Sequence, residues 1–181
     1  MQEISLEDAI ALLKMRTQVH VDKSIQFLEM MSDIFPILLR SGPLKQESVL
    51  IDGIYLIDGD LDARLVNVAA SDHGVCCIVL GSLRAERFVF EGALSVRDHL
   101  QVADVLYYDG LDWGAYVGRN VDAGLIIERN GHLHVSGEIK FKTPCDFSKF
   151  SEEFTFDDDG DLSIDPAPLV AALITGRRIL K

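Results

Sequence analysis

At 181 residues, 48% of them apolar, the chain is long enough for one domain with a sizeable core and too apolar to be disordered. Lys and Arg total 17 against 29 Asp and Glu, a formal charge of −12, which argues against nucleic acid or an anionic membrane as partner because both repel a negative surface. No apolar run reaches the roughly 18 residues a membrane span needs, and Met1-Gln2-Glu3-Ile4-Ser5 lacks the basic-then-apolar start of a secretory signal, so a cytoplasmic protein is expected.

The first 44 residues read as a helical cap. Ser5 with Asp8 three residues on forms a weak capping box, and Leu6, Ala9, Ile10 and Leu13 follow at helical spacing. A second helix is expected from near Asp22 or Ser24, with Ile25, Leu28, Met31, Ile34 and Phe35 on its apolar face. Pro36 kinks or ends it, and Ser41-Gly42-Pro43 stops what remains.

From Val49 the apolar period changes to two and turn signals recur at Asp52-Gly53, Asp58-Gly59, Asp109-Gly110 and Asn130-Gly131. Five segments repeat one pattern around Leu61, Leu83, Leu100, Val121 and Ile139. The steps between these residues are 22, 17, 21 and 18. A recurrence of about 20 residues built from strands and turns predicts a β-solenoid, in which the five side chains stack in one interior column. An antiparallel meander would return every 8–12 residues or so. The predicted fold is therefore mainly β: a short right-handed β-helix of about five coils over 49–142, carried in a single domain with helices at both ends.

Several strands are apolar on both faces. Ile54-Tyr55-Leu56-Ile57 and Val75-Cys76-Cys77-Ile78-Val79-Leu80 show no polar alternation, so the outer face of the early coils must be covered, and the N-terminal helices are the available cover. A second stripe of Phe88, Phe90, Val105, Tyr107 and Ile127 is expected to seat another helix or to form an exposed patch. Outward positions of later coils turn polar at Ser95, Arg97, His132 and His134. The three cysteines, Cys76, Cys77 and Cys145, form no disulfide framework, and the adjacent pair reads as small core hydrophobes.

Over 143–181 the chain leaves the repeat. Phe154-Thr155-Phe156 and Leu162-Ser163-Ile164 flank Asp157-Asp158-Asp159-Gly160-Asp161 as a hairpin would. Asp165-Pro166 then opens a helix through Leu169, Leu173 and Ile174 that stops at Gly176.

Motifs with chemistry are few. The acidic run at Asp157–Asp161 lacks the glycine and glutamate spacing of a calcium loop and reads as a solvated turn. His132 and His134 share one side of a strand and could ligate a metal if two further ligands converged; Asp109, Asp112 and Asp122 are the acidic residues expected one coil away, and no spacing brings two of them in. There is no phosphate-binding glycine loop and no nucleophile elbow. The steps of the repeat do not obey the strict six-residue rule of hexapeptide acyltransferases, and no stacked carboxylates of a polysaccharide-cleaving groove appear. No catalytic residue, metal or cofactor is assigned. The candidate partner-binding residues are Phe88, Phe90, Tyr107, Tyr108 and Trp113, the last a turn tryptophan able either to anchor a partner or to close the core edge.

The runs Leu56-Ile57-Asp58-Gly59-Asp60-Leu61, Ile78-Val79-Leu80-Gly81-Ser82-Leu83-Arg84-Ala85 and Leu106-Tyr107-Tyr108-Asp109-Gly110 resemble a loose group of bacterial β-helix proteins, some named for the polymer-forming bactofilins. The resemblance spans roughly Val49 to Lys142 and defines a coil, not an activity. It implies end-to-end polymerisation through bare solenoid ends, whereas amphipathic helices at both termini would cap the stack. The expected function is a non-enzymatic cytoplasmic protein-interaction module with a protein partner, in one version the neutralisation of a basic toxin, with self-association as a homodimer left open. The alternatives are a scaffold or polymer-forming protein, and a metal protein or enzyme centred on His132 and His134.

Overall fold

A computed structural model describes the chain except for residues 18, 69–74, 111–112, 131, 147–148, 152–153, 155–166 and 181. It is a β-solenoid of about five turns. Each coil lays a short strand in one sheet, turns within two or three residues, and lays a longer strand in a second sheet facing the first. The short strands are β2 (Ile37–Ser41), β4 (Ile54–Asp58), β6 (Cys76–Val79), β8 (Ala93–Val96), β10 (Gly114–Val117) and β12 (His132–Val135). The long ones are β3 (Leu44–Ile51), β5 (Leu61–Val68), β7 (Leu83–Glu91), β9 (Leu100–Asp109), β11 (Val121–Arg129) and β13 (Ile139–Thr143). Neighbours within each sheet are parallel, as successive coils require. The exception is β1 (Gln2–Ile4), which runs antiparallel along β2.

The expected column exists. Leu61 pairs in register with Leu83, Leu83 with Leu100, Leu100 with Val121 and Val121 with Ile139. Leu44 extends it by one coil at the N-terminal end. A second interior column of Ala63, Ala85, Val102 and Ala123 lies beside it. The turns that precede the column are stitched by backbone bonds from coil to coil: Leu61 N donates to Ser82 O, Leu83 N to His99 O, and Leu100 N to Asn120 O. The coils approach so closely there that a side chain on Gly81 would strike the Asp60 carboxylate and the Gly59 backbone. The recurrent glycine of the repeat is thus a demand of coil stacking.

The solenoid starts earlier than the change of period suggests. Ile37–Ser41 is a strand, not the tail of a helix, and Gly42-Pro43 is the first inter-strand turn, with Gly42 at φ +80°. Pro36 lacks the amide a helix would need, and the following Ile37-Leu38-Leu39 run then pairs with β4.

Both outer faces carry cover. Helices α1 (Leu6–Arg16) and α2 (Val21–Met31) bury Ala9, Leu13, Phe27, Leu28 and Met31 against Ile54, Leu56, Cys76 and Ile78 of the short-strand sheet. Ser5 caps α1, accepting from Asp8 N at 3.1 Å and donating to the Asp8 carboxylate at 2.8 Å. On the long-strand sheet, α3 (Ala167–Thr175) sets Leu169, Ala172 and Leu173 on Val89, Val105, Tyr107, Leu125 and Ile127. The expected hairpin at 154–164 lies outside the described residues, apart from Phe154, which is buried under α3.

Candidate functional site

The stripe expected as one surface divides between two layers. Val105, Tyr107 and Ile127 seat α3, but Phe88 and Phe90 point into the solenoid interior, where both are fully buried. The cause is a corner in the long strands. Interior positions of β7 run Leu83, Ala85, then Phe88 and Phe90, an odd step that reverses the facing. In β9 an additional residue at Ala103–Asp104 is absorbed as a bulge, which places Val105 and Tyr107 opposite Arg87 and Val89. Tyr108 is likewise interior, its hydroxyl donating to Gly92 O and Trp113 O, each at 3.1 Å. Trp113 closes the core edge, half-buried and edge-on to Phe27 at 5.8 Å. Four of the five candidate partner-binding residues are therefore buried in this chain and the fifth is packed against α2, so none offers an open surface.

Two features lie at the margins of this packing. The first is a row of rings on the outer face of the short-strand sheet that starts under α2 and runs out past it. Phe27 meets Tyr116, Tyr116 stacks on His134 at 4.8 Å, and His132 lies edge-on to His134 at 6.0 Å. His20 flanks Tyr116 at 5.2 Å, and its Nε2 is 3.1 Å from Ser136 Oγ. Partial burial lowers the His20 pKa; a backbone hydrogen bond with Val117 opposes this and nearby His134 adds to it. Among the described residues no group of three or more His, Cys, Asp or Glu side chains could hold a metal ion, and His132 and His134 find no third donor there. Burial also pushes the Cys77 thiol up to about 12 and the Cys76 thiol well above its ordinary value, so neither is a ready nucleophile.

The second feature is the last coil. Among the described residues β12 and β13 each have one neighbouring strand, so their far edges are open to a further strand, although the Glu128 carboxylate already accepts from Leu133 N of β12 at 2.9 Å. Column residues that are 0% exposed in the middle coils give way to Ile139 at 46%, and the Ala123 position is succeeded by Phe141 at 53%. Leu133 and Val135 of β12 pack only partly against the interior core. Lys140 and Lys142 alternate with the two apolar residues, Lys140 being held by Glu138 at 3.0 Å. Sequence reasoning overlooked this end, although a signal was present: the repeat pattern is not continued after Thr143, and among the described residues no strand follows β13.

No helix among the described residues is long and apolar enough to cross a membrane. Comparison with family models, curated proteins and solved structures finds no match to the chain, so the β-solenoid stands on the structure and the resemblance to bactofilins receives no support.

Proposed function

We propose that the chain is a non-enzymatic protein-interaction module that binds through the open C-terminal end of its solenoid. The observation that carries this is the last coil: among the described residues β12 and β13 have no strand on their far edges, and Ile139 and Phe141 are both about half exposed. A partner strand laid along β12 or β13 would gain main-chain hydrogen bonds, while its alternate side chains would cover the interior column. The row of Tyr116, His134 and His132 beside β12 extends the same surface with rings that tolerate both apolar and polar neighbours.

A discrete complex fits better than a filament. Head-to-tail growth needs a bare N-terminal end, and there β1 covers the edge of β2. The edge of β3 is polar at Lys45, Gln46, Glu47 and Ser48, a composition that discourages strand addition. The narrower version, capture of a basic toxin, draws its support from the net charge of −12 through electrostatic steering.

The test is affinity capture from the native source with the intact chain and with a Phe141→Lys variant of matched stability. A protein retained by the intact chain and lost by the variant is the expected result. An identical set of proteins on both, or none on either, overturns the proposal.

A further inference from the structure

The edge of the last coil is complementary to itself. Val121 N donates to Glu138 O, so the backbone of Glu138 and Lys140 turns toward β11 and that of Ile139 and Phe141 toward the far edge. The side chains sort by face as well. Ile139 succeeds Val121 in the interior column and Phe141 succeeds Ala123, while Glu138, Lys140 and Lys142 alternate with them on the outward side.

Two copies of β13 can be laid antiparallel about a twofold axis, and a register is admissible when interior side chains meet interior ones. Centred on Phe141, it sets Lys140 opposite Lys142 of the second copy twice over, and like charges facing each other are destabilising. Centred on Ile139, it sets Phe141 opposite Gly137 of the second copy, which has no side chain to cover the ring. Centred on Lys140, it sets Ile139 opposite Phe141 of the second copy, and these two exchange both main-chain hydrogen bonds. Glu138 then faces Lys142 of the second copy, an opposite-charge pair made twice. The two Lys140 side chains meet near the axis, but each is already held by Glu138 of its own chain at 3.0 Å. Ile139 and Phe141, 46% and 53% exposed in one copy, cover each other across the contact. β12 contributes less, because the Glu128 carboxylate accepts from its Leu133 N at 2.9 Å.

We propose that the open coil end binds a second copy of this chain, β13 against β13 in the register centred on Lys140. A twofold contact of this kind closes at two copies and leaves no end for growth. The inference rests on the reading of that end as a binding surface and names its partner.

Sedimentation equilibrium of the full chain tests it, each variant first being shown to unfold at the same denaturant concentration as the parent. The parent is expected to form a dimer that dissociates on dilution and grows no larger when concentrated. Glu138→Lys and Lys142→Glu each set like charges opposite one another and should weaken the dimer roughly tenfold or more. Mixed together, the two variants regain opposite charges at both pairs and should sediment as a mixed dimer. Lys142→Glu, on an exposed strand, keeps the test valid should Glu138→Lys fail to fold. A parent that is monomeric at every concentration overturns the inference, as does a dimer indifferent to both charge reversals. In either case affinity capture with Phe141→Lys decides the underlying reading separately: a different protein lost by that variant keeps the coil end as a binding surface, and an identical capture on variant and parent removes it.

Discussion

At its first coil the solenoid is closed off by β1 along β2, by a polar β3 edge and by two helices over the outer face. At its last coil the same repeat stops with Ile139 and Phe141 about half exposed and, among the described residues, with no strand beyond β12 or β13. The residue type at the column barely changes from Leu61 to Ile139, yet its surroundings do. In a stacked fold, burial is thus a property of position in the stack and not of the repeat itself. Terminal repeats usually carry polar substitutions; where one does not, the unpaired apolar surface marks a place for something else to sit.

The largest expected difference between the ends comes from truncating the column. Leu83→Ala removes methylenes from a fully enclosed site and should cost about 3 kcal/mol, whereas Ile139→Ala, already half hydrated, should cost less than about 1 kcal/mol. Urea denaturation measures both, and equal costs would break the contrast. Next in size is Ser5→Ala, which strips the cap from α1 and should cost about 1 kcal/mol. If the helices are one cooperative layer with the coils, circular dichroism will show a single transition at lower temperature; a separate early helical transition would show the closed end to be closed only loosely.

The smallest effect sharpens the contrast by pH. The Asp60 carboxylate accepts from Ser82 N at 2.8 Å and from Arg84 at 3.0 Å, and these bonds, the backbone one foremost, lower its pKa. Its folded pKa is therefore below its unfolded one, so its contribution is present above the unfolded value and fades as pH falls through the folded value. Because the group is nearly half exposed, that contribution is a few tenths of a kcal/mol, about that of a surface ion pair. The corresponding turn near the open end uses Asn120, whose Oδ1 accepts from Glu138 N at 3.1 Å and does not titrate. Acidification should therefore lower the hydrogen-exchange protection of the Ser82 amide and leave that of Glu138 unchanged. Parallel losses at both would show that the Asp60 bond is not the cause.

Much of this architecture was legible in the chain. The spacing of Leu61, Leu83, Leu100, Val121 and Ile139 fixed the coil, and the apolar run Val75–Leu80 announced a covered outer face, because both periodicities arise from local backbone geometry. Facing was harder. Phe88 and Phe90 read as neighbours of Tyr107 because alternation carries through a strand only while the strand is straight, and the corner at Glu86–Arg87 is invisible to a period of two. The first coil was missed because Ile37-Leu38-Leu39 continues the apolar spacing of α2, and only the partner strand β4 decides that it is extended. The exposed end was overlooked because Ile139 and Phe141 look like core residues, and nothing in their type says that the next coil is absent.

The adjacent thiols at the centre of the molecule divide these layers more finely. Cys76 belongs to the layer under α1 and α2, Cys77 to the solenoid interior, and Cys145 is exposed. A thiol reagent followed by mass spectrometry would thus read three clocks in one chain. Cys145 reacts from the folded state, Cys76 records the lifting of the helices, and Cys77, one peptide bond away, stays silent until the coils themselves come apart.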